Sequence, residues 1–185
     1  MSLSVVLRHQ QDGDRQSVRE VLIRAFERPV VADLAEALRA SRPANAALCF
    51  VAEADDGRIV GQVQLSTSWV DAPARLVEVL VLSPLGVLPE KQGQGVGGRL
   101  IKQAVQAATG AGAPLLFLEG DPRLYSRFGF ETASHYGFVA PSVRIPDEAF
   151  QVMLLPPYQA WMKGALAYAE PFWAFDCVGL RQSDS

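Results

Sequence analysis

The stretch Val87–Gly98, read as Val-Leu-Pro-Glu-Lys-Gln-Gly-Gln-Gly-Val-Gly-Gly, limits what this chain can fold into more than any other. An apolar run leads into it and an amphipathic run leads out. Gly93, Gly95, Gly97 and Gly98 cluster at the join. Glycine lacks a Cβ, so backbone N–H groups there can turn toward a ligand and approach it closely. A helix that starts at such a point adds unpaired donors and the positive end of its dipole. The pattern reads as a cradle for an anion, a phosphate or pyrophosphate.

Several kinds of phosphate site use glycine. A P-loop needs Lys-Ser or Lys-Thr to close the run, and here Gly98 is followed by Arg99 and Leu100. The dinucleotide fingerprint G-x-G-x-x-G is matched by Gly93, Gly95 and Gly98, with Glu119 about 20 residues on as a candidate ribose ligand. Two features weigh against it. Leu88 to Gln92 separate the strand from the glycines, and no further strand-then-helix alternation follows Glu119.

The stretch resembles the acetyl-CoA loop of the GNAT superfamily of N-acetyltransferases, whose pattern is Gln or Arg, two residues, Gly, one residue, Gly or Ala. Here that is Gln92, Gly93, Gln94, Gly95, Val96 and Gly97. The preceding Val87-Leu-Pro89 and the downstream Tyr125-Ser-Arg-Phe-Gly-Phe130 also look like the family's, in the same order and spacing. A small bacterial branch shares Gly120-Asp121-Pro122 before the tyrosine. The likeness covers roughly residues 1 to 140. It implies a single α/β (α+β) domain with a mixed, mostly antiparallel sheet splayed at its middle and helices on both faces. We place that domain at 1–155, with 156–185 as an extension packed on it.

Composition is compatible with this. The chain has 185 residues, 49% hydrophobic and 20% charged, enough for one domain with a core. A formal net charge of −3 argues against a chain-wide nucleic-acid footprint. Cys49 and Cys177 show no metal or redox spacing. The first residues lack a signal-peptide pattern, and the most apolar run, Val79–Leu88, is too short to span a bilayer. The expectation is a soluble, cytoplasmic protein without a membrane or nucleic-acid partner.

In order, Leu3–Arg8 reads as a strand. Asp12 or Asp14 would cap a helix running to about Glu27, and a second helix covers about Val31–Ala40. Ala47–Ala54 and Arg58–Thr67 read as a hairpin turning at Asp55-Asp56-Gly57. Gly61 marks a bulge or a close backbone approach. Leu76–Val87 is a strand apolar on both faces, in which Pro84 cannot donate to a ladder, so pairing must lapse there. A helix follows from Gly95 to about Thr109, then a buried strand Pro114–Glu119 and a short helix carrying Tyr125. Phe138–Ala140 is a further candidate strand, and Ala149–Leu155 a firmer one. Residues 158–170 fit either a helical stripe or, with Gly164, Tyr168 and Phe172, a short strand. The aromatic cluster Phe172, Trp173 and Phe175 reads as core or as the contact of a homodimer. Gln182–Ser185 reads as a frayed tail.

The resemblance carries a chemistry. The backbone of Leu85 and Val87 would bind the pantetheine arm of acetyl-CoA, the acyl-donor cosubstrate, like an added strand. Amides from Gln92, Gly93, Gln94, Gly95, Val96, Gly97 and Gly98 would hold its pyrophosphate. Tyr125 falls where the family keeps the tyrosine that protonates the departing sulfur; otherwise it is a packing residue. For the base that takes the amine's proton the candidates are Glu119 and Glu78. Gly120 stands where many members carry asparagine. The acceptor is a primary amine, on a small molecule or a peptide. An acyl-CoA-binding protein without turnover would show the same loop, and the nicotinamide reading stays as a third alternative.

Overall fold

The computed structural model describes residues 4–180. Leu3 and Gln182–Ser185, given above to a strand and a tail, lie outside them. The chain begins with β1 (Val5–His9), α1 (Arg15–Phe26), α2 (Pro29–Ser41) and the short α3 (Pro43–Ala46). The hairpin β2 (Cys49–Ala54) and β3 (Ile59–Asp71) follows, then β4 (Leu76–Val87), α4 (Val96–Gly110), β5 (Leu115–Glu119) and α5 (Pro122–Tyr125). It ends with β6 (Glu131–Thr132), β7 (Phe150–Leu154), β8 (Ala165–Ala167) and α6 (Glu170–Ala174). One sheet takes the order β1-β2-β3-β4-β5-β7-β6, with β8 added to β3. Among the described residues, the β4–β5 pair is the only parallel ladder between named strands. A doubly wound parallel sheet is therefore absent, and the dinucleotide fold with it.

Local signals account for most elements. Gly57 turns the hairpin at φ 81°, where a Cβ would be strained. Pro29 takes the first position of α2, where its missing N–H costs nothing. Asp14 precedes α1 but does not cap it through its side chain. Its carboxylate instead accepts from Arg8 (2.7 and 2.9 Å) and from the Gln11 N–H (2.7 Å). An arginine bonded in this way holds the Asp14 carboxyl below the usual range.

Two glycines set the layers. A Cβ on Gly61 would meet Leu100 Cδ1 at 2.9 Å and Val96 Cγ1 at 3.2 Å, both on α4. A Cβ on Gly86 would meet Leu22 Cδ2 at 2.9 Å, on α1. The helices thus press on opposite faces of β3 and β4, each at a point with no side chain. The bulge expected near Gly61 is also present: the β2–β3 register shifts between Ala52, opposite Gly61, and Glu53, opposite Ile59.

The C-terminal ambiguity resolves as strand. Ala165–Ala167 pairs with Trp69–Asp71 of β3. Gly164 lets the chain in, because a Cβ there would strike the Asp71 carbonyl oxygen. Phe138–Ala140 forms no strand; Val139 makes one isolated bridge to Ala165. β6 and α3 had no counterpart in the sequence reading. No helix among the described residues is long and apolar enough to cross a membrane.

The contact of α4 with β3 aims the start of α4 at the end of β4, so crowding it should register in stability. Gly61→Ala adds a Cβ 3.3 Å from the Gly86 carbonyl as well as against α4. We expect a loss of about 1–3 kcal/mol, seen as a lower urea midpoint at unchanged slope. A variant as stable as the parent would show that the helix can retreat freely.

Candidate active site

The site begins where β4 leaves β5. Their parallel pairing covers Leu80 with Leu116 and Val81 with Phe117, then ends. Beyond that point β5 stays with β7, through Leu118 to Gln151 and Glu119 to Phe150. β4 stays with β3. Leu82 faces Leu65 and Leu85 faces Val63, so Ser83 and Pro84 together oppose Gln64. This bulge absorbs the residue that cannot donate, as expected of Pro84. Past it, the Leu88 N–H bonds to the Val60 carbonyl at 2.9 Å. Alternation along the strand then turns the N–H and C=O groups of Val87 and Leu85 away from β3, toward the gap.

The gap opens into a cleft of about 400 Å³. Leu82, Ser83, Pro84 and Leu85 form one wall, and Glu119, Gly120 and Tyr125 are part of the other. Phe26, Arg28 and Val31, from the α1–α2 junction, and Cys177 and Gly179, from the C-terminal segment, complete it.

Downstream of β4 the glycine loop has the form its composition suggests. Gly93 and Gly95 have φ of 70° and 84°. Gly95 immediately precedes α4, and the first turn of α4 carries no acidic residue. The first bond at this end runs from the Arg99 N–H to the Gly95 carbonyl at 3.1 Å. The N–H groups of Val96, Gly97 and Gly98 come before it and are without helical partners. Two glutamines brace the turn: Gln92 Nε2 donates to the Val87 carbonyl (3.0 Å) and Gln94 Nε2 to that of Glu90 (2.9 Å). The glutamine of the motif therefore ties the loop to the end of β4 through its side chain, and it occupies the Val87 carbonyl. A Cβ on Gly98 would press on Phe128 Cζ at 3.1 Å.

Tyr125 ends α5 and packs edge-on against Phe130, with ring centroids 6.0 Å apart. Its hydroxyl has no hydrogen-bond partner among the described residues. Burial pushes the phenol pKa up to about 12. The ring lies where a side chain on residue 120 would go: a Cβ on Gly120 would come within 2.9 Å of Tyr125 Cδ2 and closer still to Cε2. The Gly120 backbone is pinned, its N–H to the Ala149 carbonyl and its carbonyl by Gln151 Nε2, both at 3.0 Å.

Glu119 lines the cleft and also anchors its far side. Oε2 accepts from Tyr168 Oη and Oε1 from the Gly179 N–H, both at 3.0 Å. Burial raises its pKa, against the lowering effects of these two bonds and of Arg144. The other candidate base, Glu78, is not brought here. It sits near the start of β4, exposed, and pairs with Arg42 at 2.7 Å. The sequence reading missed Gly179, which lines the cleft, and Tyr168, which bonds to Glu119 behind it. Both come there only through contacts that span much of the chain.

Comparison with known proteins places this arrangement. Residues 45–132 match the family described as acetyltransferase (GNAT) domain. The chain is 35% identical over 137 residues to the uncharacterized N-acetyltransferase YjhQ of Escherichia coli K12, covering 74% of this chain and 75% of that one. It is similar in structure to the GNAT family N-acetyltransferase YhbS of Escherichia coli, crystallised in complex with CoA, with a TM-score of 0.81, 30% identity and 93% of each chain covered. A GNAT family acetyltransferase from Brucella melitensis, crystallised with acetyl-CoA, gives a TM-score of 0.73 at 28% identity, over 91% of this chain and 98% of that one. With the parted strands, the glycine loop at the start of α4 and these relatives in hand, the chain belongs to the GNAT family of N-acetyltransferases.

Proposed function

We propose that this protein transfers an acetyl group from acetyl-CoA to a primary amine by direct attack, with Tyr125 as general acid. The observation that carries the reading is the gap between β4 and β5. Strand edges with unpaired N–H and C=O groups cost about 1–3 kcal/mol per group if they stay dry and unbonded. An extended, amide-bearing ligand such as the pantetheine arm satisfies them as another strand would. The loop fits the rest of the cosubstrate. Gly93 and Gly95 hold conformations closed to most side chains, and amides from Gln94 to Gly98 form a donor set for a pyrophosphate, with no acidic residue in the first turn of α4 and the Glu90 carboxylate paired with Arg24. The Escherichia coli and Brucella relatives bind CoA and acetyl-CoA, and we assign the same ligand here.

Bound acetyl-CoA supplies the activated acyl group. The chain supplies position and protons. The N–H of Leu85, turned to the gap, is a donor for the carbonyl oxygen on which negative charge builds, and that of Val87, two residues along the strand, is left for the pantetheine arm. Tyr125 holds a proton at Oη across the physiological range, since burial opposes phenolate formation. It can give that proton to a departing sulfur only while the two are in contact and water is excluded. The amine arrives as an ammonium and must lose a proton before its nitrogen can attack. We assign this step to Glu119, directly or through water, in preference to Glu78. Each of its oxygens keeps a lone pair after the bonds to Tyr168 and Gly179.

Two experiments test the assignment. Tyr125→Phe keeps the ring that fills the space beside Gly120 and removes the proton. Thiol release with an accepted amine should fall about 10²-fold or more, with acetyl-CoA affinity by calorimetry unaltered. An unchanged rate would leave Tyr125 a packing residue. If no amine in a broad panel releases thiol although acetyl-CoA binds, the protein is a binding module.

Glu119→Gln tests whether the carboxylate is as strained by burial as its pKa direction implies. Because the folded value is raised, the native state holds the proton more tightly than the unfolded chain. Its contribution to stability is complete at acid pH and is lost as pH rises through the folded value. Glutamine can accept from Gly179 and donate to the Tyr168 oxygen. The melting temperature of Glu119→Gln relative to the parent should therefore climb as pH rises above the usual carboxylate value of about 4. A difference that is flat with pH would contradict the burial argument.

A further inference from the structure

The charges on α1 and α2 sort themselves. Arg24 pairs with Glu90 (2.9 Å), Arg19 with Asp33 (2.6 Å), Arg39 with Asp12 (2.8 Å), and Arg15 with Glu36 (3.8 Å). Arg28 is different. It sits at the turn between the helices, immediately before α2, lines the cleft and has no ion pair or hydrogen bond to its side chain among the described residues. Its positive field reaches the Cys177 thiol, where it works against the larger upward effect of burial. The other charged groups lining the cleft are Glu119 and Asp121. Asp121 is committed to Arg123, at 2.8 Å, and to the start of α5. What remains for a ligand is one cation at the α1–α2 side and one half-buried carboxylate, Glu119, at the end of β5, with the apolar ring of Phe26, 39% exposed, at the same cleft.

Building on the acetyl-transfer reading above, we propose that the acceptor is an amine that also carries a carboxylate, its nitrogen directed toward Glu119 and its carboxylate held by Arg28. A guanidinium presents paired N–H donors that match a carboxylate in both geometry and charge. A free arginine facing a cleft repels a simple diamine or polyamine, so the same residue that selects an amino acid-like acceptor rejects a purely cationic one. Glu119 at the inner end discriminates in the other direction, against acids without an amino group. The exposed face of Phe26 and the apolar walls at Val31 and Leu34 suit a hydrocarbon body on the same ligand.

The test compares matched pairs that differ by the carboxylate alone: phenylalanine against phenethylamine, and lysine against cadaverine. In steady-state thiol-release assays at saturating acetyl-CoA, the carboxylated member should have the lower KM. Arg28→Ala should raise that KM about tenfold, the worth of one charge-assisted contact at a solvent-accessible site, and abolish the preference within each pair. Arg28→Lys should restore part of it. Arg24→Ala removes a neighbouring positive charge that does not line the cleft, and should leave the preference intact. Equal KM within pairs for the parent, or a loss in Arg28→Ala that both members share, would overturn the proposal. A second readout separates this idea from catalysis itself. With CoA present, the carboxylated member of each pair should raise the melting temperature more than its partner, and Arg28→Ala should erase that difference. If thiol release fails for every amine but this shift is seen, the acceptor class stands and the catalytic reading falls. If neither is seen, the proposal falls.

Discussion

The parting of β4 from β5 is the constraint on which the rest of this structure depends. A sheet gains by continuing its ladder, so two neighbouring strands separate only if something else holds each of them. Here β5 is kept by β7 along its whole length, and β4 is kept by β3 through a bulge that takes in Ser83 and Pro84. α1 and α4 clamp the β3–β4 pair from opposite faces at Gly86 and Gly61, so neither strand can swing back to close the wedge. The opening is therefore not a defect of packing. It is the residue of several interactions that each favour the split, and it leaves oriented amide groups beside the helix start that the glycine loop provides.

Glu119 links that opening to the end of the chain. A half-buried carboxylate needs donors, and both of its donors come from the C-terminal segment, Tyr168 and the Gly179 N–H. Tyr168 is itself stacked on Phe172, ring centroids 4.6 Å apart, and follows β8, which is paired to β3. Arg144 secures the same segment through Nη2 to the Val178 carbonyl at 2.9 Å. The far wall of the cleft is thus assembled from strand pairing, aromatic packing and two hydrogen bonds to one carboxylate. A change that loosened the C-terminal segment would strip Glu119 of its donors and expose it at once, so stability of this segment and the basicity of that group are not independent.

What could be read from the sequence follows the range of the interaction. The glycine loop, the helix after it, the hairpin at Gly57 and the bulge at Gly61 depend on residues near in sequence, and they are present as expected. The turn carrying Tyr125 is equally local. Contacts of long sequence separation were invisible. A short-range competitor was missed as well: Asp14 looked like a helix cap because it has the right position, but its carboxylate is taken by Arg8, six residues back on β1, and by the Gln11 N–H. Along β3, Gln62, Gln64, Ser66 and Ser68 alternate with Val63 and Leu65, a pattern usual for a strand with one wet face. All four are buried, Gln64 donating to the Ala35 carbonyl of α2 and Ser68 accepting from the Ala169 N–H. No periodicity announces that helices will cover a polar row. Arg28 belongs with these: in the sequence it is one charge among many, and it is distinguished only when its neighbours are seen to be paired.

Gly120 and Tyr125 show how a departure from the family pattern can be matched by the packing around it. An asparagine at 120 could not share space with this tyrosine ring, since even a Cβ collides with it. With glycine there, the ring settles against the backbone at the end of β5, and that backbone is pinned by Ala149 and Gln151. The burial that results is what raises the phenol pKa. The small residue and the raised pKa of the tyrosine are therefore one feature. A phenol in this setting gives up its proton only to a base generated beside it, such as a thiolate in a dry cleft, and not to bulk water at neutral pH. Burial makes this phenol a weaker acid than a free one, so any transfer depends on direct contact with a base that is itself desolvated.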